Sequence, residues 1–299
     1  MTDLERVAAA HWRGTEEEWL GDWLLRAAGG FTGRANSALP LGGPGMPLDD
    51  ALALVTLWYR ERGLPAMIAV PVPLDAGAPG VPGAPGIPGA PGAPSAPGAH
   101  GVPGAHGVPS EAGALRQPGA LHEADGTGRA LDEHLVGRGW PVRPGPAFVM
   151  VADLPLAIPA DGLSDGHAVQ VSTEPDDAWA ARYHYRGQDH LPPVARQVLT
   201  SAREQAFVSI REGDEVLAIA RLSIADGWAG LTAVEVHPGH RRQGLGVVIT
   251  AAACQVAEQR GVQRVFLQVE VDNAPAQALY RRLGFHYSHR YHYRVAPAA

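Results

Sequence analysis

"VEVHPGHRRQGLGVV", residues 234–248, decides how this chain is read. It begins as a strand, passes through a short basic loop with two glycines, and enters "GLGVVITAAACQVAEQRG" (244–261). The length and apolar content of that second segment predict a helix, with Val248, Ala252 and Val256 on one face and Gly261 closing it. Gly244 and Gly246 have no Cβ, so backbone N–H groups can come close to a ligand. A helix start adds unpaired N–H donors and a positive dipole end. Together these suit phosphate oxygens. Arg241 and Arg242 add forked cationic donors. The spacing is neither the Walker pattern nor the three-glycine dinucleotide fingerprint. The bland alternative is a plain surface turn, and two glycines opening a helix beside two arginines weigh against it.

The flanking elements alternate strand and helix. "QAFVSIREGDEVLAIARLSIADGWAGLTAVEVHP" (205–238) reads as strands with turns at Gly213 and Gly227. "VQRVFLQVEV" (262–271) reads as a strand. "DNAPAQALYRRLGF" (272–285) reads as a capped helix, with Asp272 or Asn273 accepting at its start and Pro275 in its first turn. "YSHRYHYRV" is the last strand. In the first half, "LDDALALVTLWYRERG" (48–63) has a helical period that joins Leu54 and Leu57 to Ala51 and Trp58. A strand at 64–73, a helix at 129–140 and a strand at 146–154 follow.

The halves echo each other. Setting Gly63 against Gly261 lays helix over helix and strand over strand, and a gap then lays "LDEHLVGRGW" over "AQALYRRLGF". This suggests an internal duplication. Gly43, Met46 and Leu48 fall over Arg241, Gly244 and Gly246, and Leu135 falls over Tyr280. The charged and flexible parts are missing from the first copy, so no second ligand loop is expected there. Between its strand and its helix lies a tract of eleven triplets, residues 77–109, each opening on Gly except at Ser95. A collagen triple helix needs three chains and an unbroken glycine at every third residue. The expectation is instead a disordered, partly polyproline-II loop, spanning 75–128 with its flanks, that is deletable without loss of ligand binding by the 241–247 loop.

Bulk properties exclude several classes. The 299 residues are 45% hydrophobic, with a formal net charge of -7. That balance lacks the basic footprint of a nucleic-acid binder. There is one cysteine, so no intrachain disulfide and no cysteine-based zinc site is expected. No apolar run approaches ~18 residues and no secretory leader is evident, so a cytoplasmic chain with no membrane partner is expected. His286, His289 and His292 have a ligand-like spacing, but strand alternation separates His289 from the other two, and no metal is expected. "RYHYR" occurs at 182–186 and 290–294, without a mechanism for the echo. Cys254 reads as a small buried residue. The tryptophans of "HWRGTEEEWLGDWLL" (11–25) read as packing.

Arg241-x-x-Gly244-x-Gly246 after a strand resembles the acetyl-CoA signature of the GNAT superfamily of N-acetyltransferases. Asn273, Ala276, Leu279, Tyr280, Gly284 and Phe285 resemble the closing helix of that superfamily, in the right order. "GFTGRANSALPLG" (30–42) looks like a two-lobed, histone-acetyltransferase-like group, related to actinobacterial mycothiol synthase. The resemblance implies an α/β (α+β) fold of tandem GNAT-like lobes with a mixed central sheet flanked by helices. A degenerate lobe would occupy 1–155 and an active one 156–299. It implies acetyl-CoA as co-substrate and direct attack by a primary amine, on a small molecule or a peptide, in a monomer or homodimer. The loop Arg241, Arg242, Gln243, Gly244, Leu245, Gly246 and Val247 would hold the pyrophosphate. The backbones of Val234 and Val236 would pair with the pantetheine arm, Asn273 would touch it, and Tyr280 would protonate the departing thiolate. For the base, Glu235, Glu270 and a water chain stay open, and Gln268 stands where some relatives carry a glutamate. A non-catalytic acyl-CoA-binding or regulatory module and an aminothiol acetyltransferase are the alternatives. The acceptor is not specified.

Overall fold

The computed structural model describes residues 1–74, 127–156, 167–184 and 191–297. The Gly/Pro tract, with the expectation of disorder, lies outside them, as does the first "RYHYR" beyond His184. The elements are α1 (Thr2–His11), β1 (Glu16–Leu20), β2 (Trp23–Ala27), β3 (Leu39–Pro40), α2 (Leu48–Glu61), β4 (Met67–Val72), α3 (Thr127–Gly137) and β5 (Val142–Asp153) in the first half. The second half holds β6 (Ala168–Ser172), α4 (Asp177–Arg182), α5 (Val194–Leu199), β7 (Glu204–Glu212), β8 (Glu215–Ala225), β9 (Trp228–Val236), α6 (Leu245–Gln259), β10 (Arg264–Glu270), α7 (Ala274–Arg282) and β11 (His286–Val295).

Eight strands form one mixed sheet in the order β4-β11-β5-β10-β9-β8-β7-β6, and β1, β2 and β3 form a small second one. The order records an exchange. Each half contains a strand–helix–strand unit, β4-α3-β5 and β10-α7-β11, whose strands are not adjacent. β11 pairs antiparallel with both β4 and β5, and β5 pairs antiparallel with both β10 and β11. The last strand of each half thus fills the gap in the other, so residue 155/156 ends a sequence half but not an independent sheet. The register agrees with the echo: Ile68 bridges Ala38 in parallel, and Phe266, as far beyond Gly261 as Ile68 is beyond Gly63, pairs in parallel with Gly230.

Two helix faces differ from expectation. α2 buries Ala51, Leu52, Val55, Trp58 and Tyr59, while Leu54 and Leu57 stay exposed. The buried stripe packs onto β4 and β2 and leaves those leucines on the opposite side. α6 buries Leu245, Val247, Ile249, Thr250, Ala253, Cys254 and Ala257, and Val248, Ala252 and Val256 lie on its less buried side. Trp12 and Trp23 are core residues but Trp19 is exposed. The halves also lock through α1. His11 Nδ1 lies 2.9 Å from Ser223 Oγ and Nε2 3.2 Å from Ala225 O, and a Cβ on Gly230 would meet His11 Nδ1 at 2.7 Å. That close approach requires glycine at 230.

Candidate active site

β9 and β10 run parallel only from Ala229 to Leu231 and then separate. A bulge drives the separation. Against β8 the register jumps from Thr232 opposite Arg221 to Glu235 opposite Ile219, and Ala233 takes φ +51. His237 N–H donates to Leu217 O at 2.7 Å. Alternation puts Glu235 on the same, β8-facing side, so the peptide groups of Val234 and Val236 point into the opening. A free strand edge of this kind can accept an extended ligand.

The loop that follows turns through Pro238–His240 and then takes positive φ at Arg242 (+67) and Gly244 (+84). Arg241 Nε donates to Val236 O at 3.4 Å, fixing the loop to the strand. Gly244 caps α6 with no side-chain acceptor, so the first N–H groups of the helix remain available. A Cβ on Gly246 would come within 2.7 Å of Leu279 Cδ1, so glycine there lets α6 start against α7. These elements enclose a cavity of about 1020 Å³ lined by Val234, Val236, Arg241, Arg242, Gly244 to Val247, Asn273 and Tyr280, among others. Gln243 is exposed on the loop and does not line it. Asn273 is also the α7 cap, its Oδ1 accepting from Ala276 N–H at 3.2 Å.

A second cavity, about 320 Å³, meets the first at Val234, Asn273, Ala276 and Tyr280. Tyr280 is buried, edge-on to Phe285 at 5.7 Å, and its hydroxyl has no hydrogen bond among the described residues. Burial, with a smaller contribution from Cys254, pushes its pKa above that of an ordinary phenol, so it keeps its proton. Burial likewise raises the Cys254 thiol to about 12, which suits an inert core residue. The two candidate bases part company. Both Glu235 oxygens are engaged, Oε2 by His184 N–H and Oε1 by His184 Nδ1, each at 2.9 Å. Glu270 lines the second cavity, and its carboxylate has no hydrogen bond among the described residues. Gln268 lines that cavity too and accepts from the Tyr291 hydroxyl at 3.2 Å.

The three histidines of β11 diverge: His289 pairs with Glu5 and His292 with Asp132, each at 2.7 Å, while His286 is exposed. Glu215, His237 and His240 do bring three potential ligand atoms together. However, His237 Nδ1 accepts from Gly239 N–H at 3.1 Å, which leaves the hydrogen on the Nε2 that a metal would need. The second cavity also contains residues with no role in the sequence reading: Thr32 and Arg34 from the first half, with Tyr291 and Tyr293 of β11.

Comparison with known proteins fits this arrangement. Residues 1–84 and 134–294 match the family model described as "Probable histone acetyltransferase Rv0428c C-terminal". The chain belongs to that family. It is a GNAT N-acetyltransferase built from tandem lobes. Over 98% of its length it is 22% identical to the "Uncharacterized N-acetyltransferase YobR" of Bacillus subtilis, covering 97% of that protein. It is 32% identical to the streptothricin acetyltransferase of Streptomyces lavendulae over 53% of this chain and 69% of that one. The fold matches that of a GCN5-related N-acetyltransferase from Kribbella flavida with a TM-score of 0.61 at 17% identity, over 99% of this chain and 96% of the other. GNAT acetyltransferases use acetyl-CoA. No helix among the described residues of this acetyltransferase is long and apolar enough to cross a membrane.

Proposed function

We propose that the larger cavity binds acetyl-CoA and that the smaller one receives the acceptor amine. The observation that carries this is the junction: Tyr280 borders both cavities at the place where β9 parts from β10. Acetyl-CoA supplies an activated acetyl thioester when bound. The loop 241–247 offers backbone N–H donors and two guanidinium groups to its pyrophosphate. The Val234 and Val236 peptide groups align the extended arm, and the Val236 N–H can polarise the thioester carbonyl.

Tyr280 then gives its phenolic proton to the departing thiolate. That transfer runs uphill, since a thiol (~8.5) is a stronger acid than a phenol (~10) and burial raises Tyr280 further; it is drawn forward when the newly acylated nitrogen gives up its extra proton, which restores the phenol. Glu270 removes the proton of the incoming ammonium, directly or through water, because it faces the acceptor cavity while Glu235 is held by His184. The amine attacks directly and no acyl-enzyme forms, since Cys254 is buried and inert. A screen for coenzyme A release across amino acids, amino-thiols, amines and peptides tests this reading. Turnover that needs Tyr280 supports it. Acetyl-CoA failing to bind overturns it.

A further inference from the structure

One wall of the acceptor cavity is cationic and lacks a counter-ion. Arg34 follows β2 in "GFTGRANS" (30–37), and its guanidinium carbon sits 4.8 Å from the centroid of the buried Trp12 ring. It is half-buried and, among the described residues, forms neither a hydrogen bond nor an ion pair. Arg221 lies 5.1 Å from the same ring and is fully buried. Among the described residues its N–H groups donate only to neutral oxygens: Leu199 O at 2.5 Å, His11 O at 3.1 Å and Thr232 Oγ1 at 3.3 Å. Burial first, and the charge of Arg34 second, pull its pKa down to about 9, which still leaves it cationic at neutral pH. Thr232 lines the acceptor cavity together with Arg34, so the charge of Arg221 sits just behind the wall.

The acids nearby do not neutralise this wall. Glu5 shares a side cavity of about 20 Å³ with Arg34, but its Oε1 is held by His289 Nε2 at 2.7 Å. Glu270 lines the same cavity but, among the described residues, forms no ion pair with Arg34 or Arg221. A half-buried cation with no charged partner attracts an anion more strongly than a fully exposed one does. A guanidinium set over an indole, with no hydrogen bond to its N–H groups among the described residues, matches a carboxylate in particular. The cavity volume of about 320 Å³ lies at the small-ligand end of ordinary binding pockets.

We propose that the acceptor is a small amine that also bears a carboxylate, held by Arg34, with its amino group toward Tyr280 and Glu270. This rests on the acetyltransferase reading and names the substrate class it leaves open. The test is calorimetric binding to the full chain, in the presence of coenzyme A, of the standard amino acids and ω-amino acids against their carboxamides. Acids should bind on the order of ten- to a hundredfold more tightly than their amides, the difference expected for one charge-assisted pair. Arg34→Gln should erase that preference while leaving acetyl-CoA affinity unchanged, and Arg34→Lys should restore part of it. In turnover, Arg34→Gln should raise KM for acids and leave kcat nearly intact. If wild-type protein binds acids no better than amides, or binds neither, the proposal is overturned even when acetyl-CoA binding and Tyr280-dependent turnover stand. A loss of acetyl-CoA binding in the wild type would instead overturn the reading beneath it.

Discussion

The two halves open equivalent helices with very different loops. Before α6 the loop is basic and its glycine adopts φ +84; the first turn of the helix carries no acid. Before α2 the corresponding segment is sealed. Asp22 N–H donates to Gly43 O at 2.8 Å, Trp23 Nε1 donates to Gly42 O at 3.0 Å, and a Cβ on Gly21 would lie 2.3 Å from Pro44 C. The hairpin turn between β1 and β2 therefore occupies the loop's open side. Asp49 and Asp50 stand in the first turn of α2, and Asp49 is tied to Arg138 and His134. An acidic helix start repels a phosphate. Where the second half has Tyr280 at a cavity junction, the first has Leu135, fully buried. One backbone plan thus carries an open, basic loop in one copy and a packed core in the other, and a handful of residues makes the difference.

The contrast can be broken from either side. The largest effect is expected from Gly244→Val. A β-branched residue is strained at φ +84, so acetyl-CoA affinity measured by calorimetry should fall about a hundredfold or more, while the same change at Gly43 should leave it alone. Tyr280→Phe comes next. Turnover should drop on the order of a hundredfold with acetyl-CoA binding retained, as expected for loss of a general acid, and unchanged turnover would remove Tyr280 from its role. Its counterpart Leu135→Ala should instead lower folding stability by about 3 kcal/mol in denaturant titration, with acetyl-CoA affinity unaltered.

A subtler effect tests how the halves are coupled. Burial lowers the His11 pKa to about 4 from 6.5. The unfolded chain takes up that proton first, so the stability His11 contributes is full above pH 6.5 and is lost as pH falls toward 4, a total of about 3 kcal/mol. His11→Gln should flatten that part of the pH–stability curve. The smallest effect concerns residues 77–109, whose deletion should leave acetyl-CoA affinity unchanged.

Much of the site could be read in sequence because its chemistry is local. The loop 241–247 and the helix from Asn273 to Phe285 each keep their donors and cap within one turn, so spacing alone exposes them. The bulge at Ala233 could not be read. Alanine gives no signal for positive φ, and the jump in register depends on β8. The buried face of α2 is not legible in the sequence, because Leu54 and Leu57 fit the helical period as well as the residues that are buried, and only packing against β4 and β2 chooses between them. Glu235 and Glu270 are equivalent strand carboxylates in sequence, and only the fold brings His184 onto Glu235.

The order of elements, the glycine-bearing basic loop and the helix that carries Tyr280 follow from the sequence, since each depends on neighbours within a few residues. That the halves trade their last strands, and that Arg34 joins Glu270 and Tyr280 around one cavity, is settled only by long-range packing. Strand exchange is a choice among long-range pairings that leave every local pattern the same. A cavity wall drawn from residues 34, 232 and 291 exists only once those pairings are made.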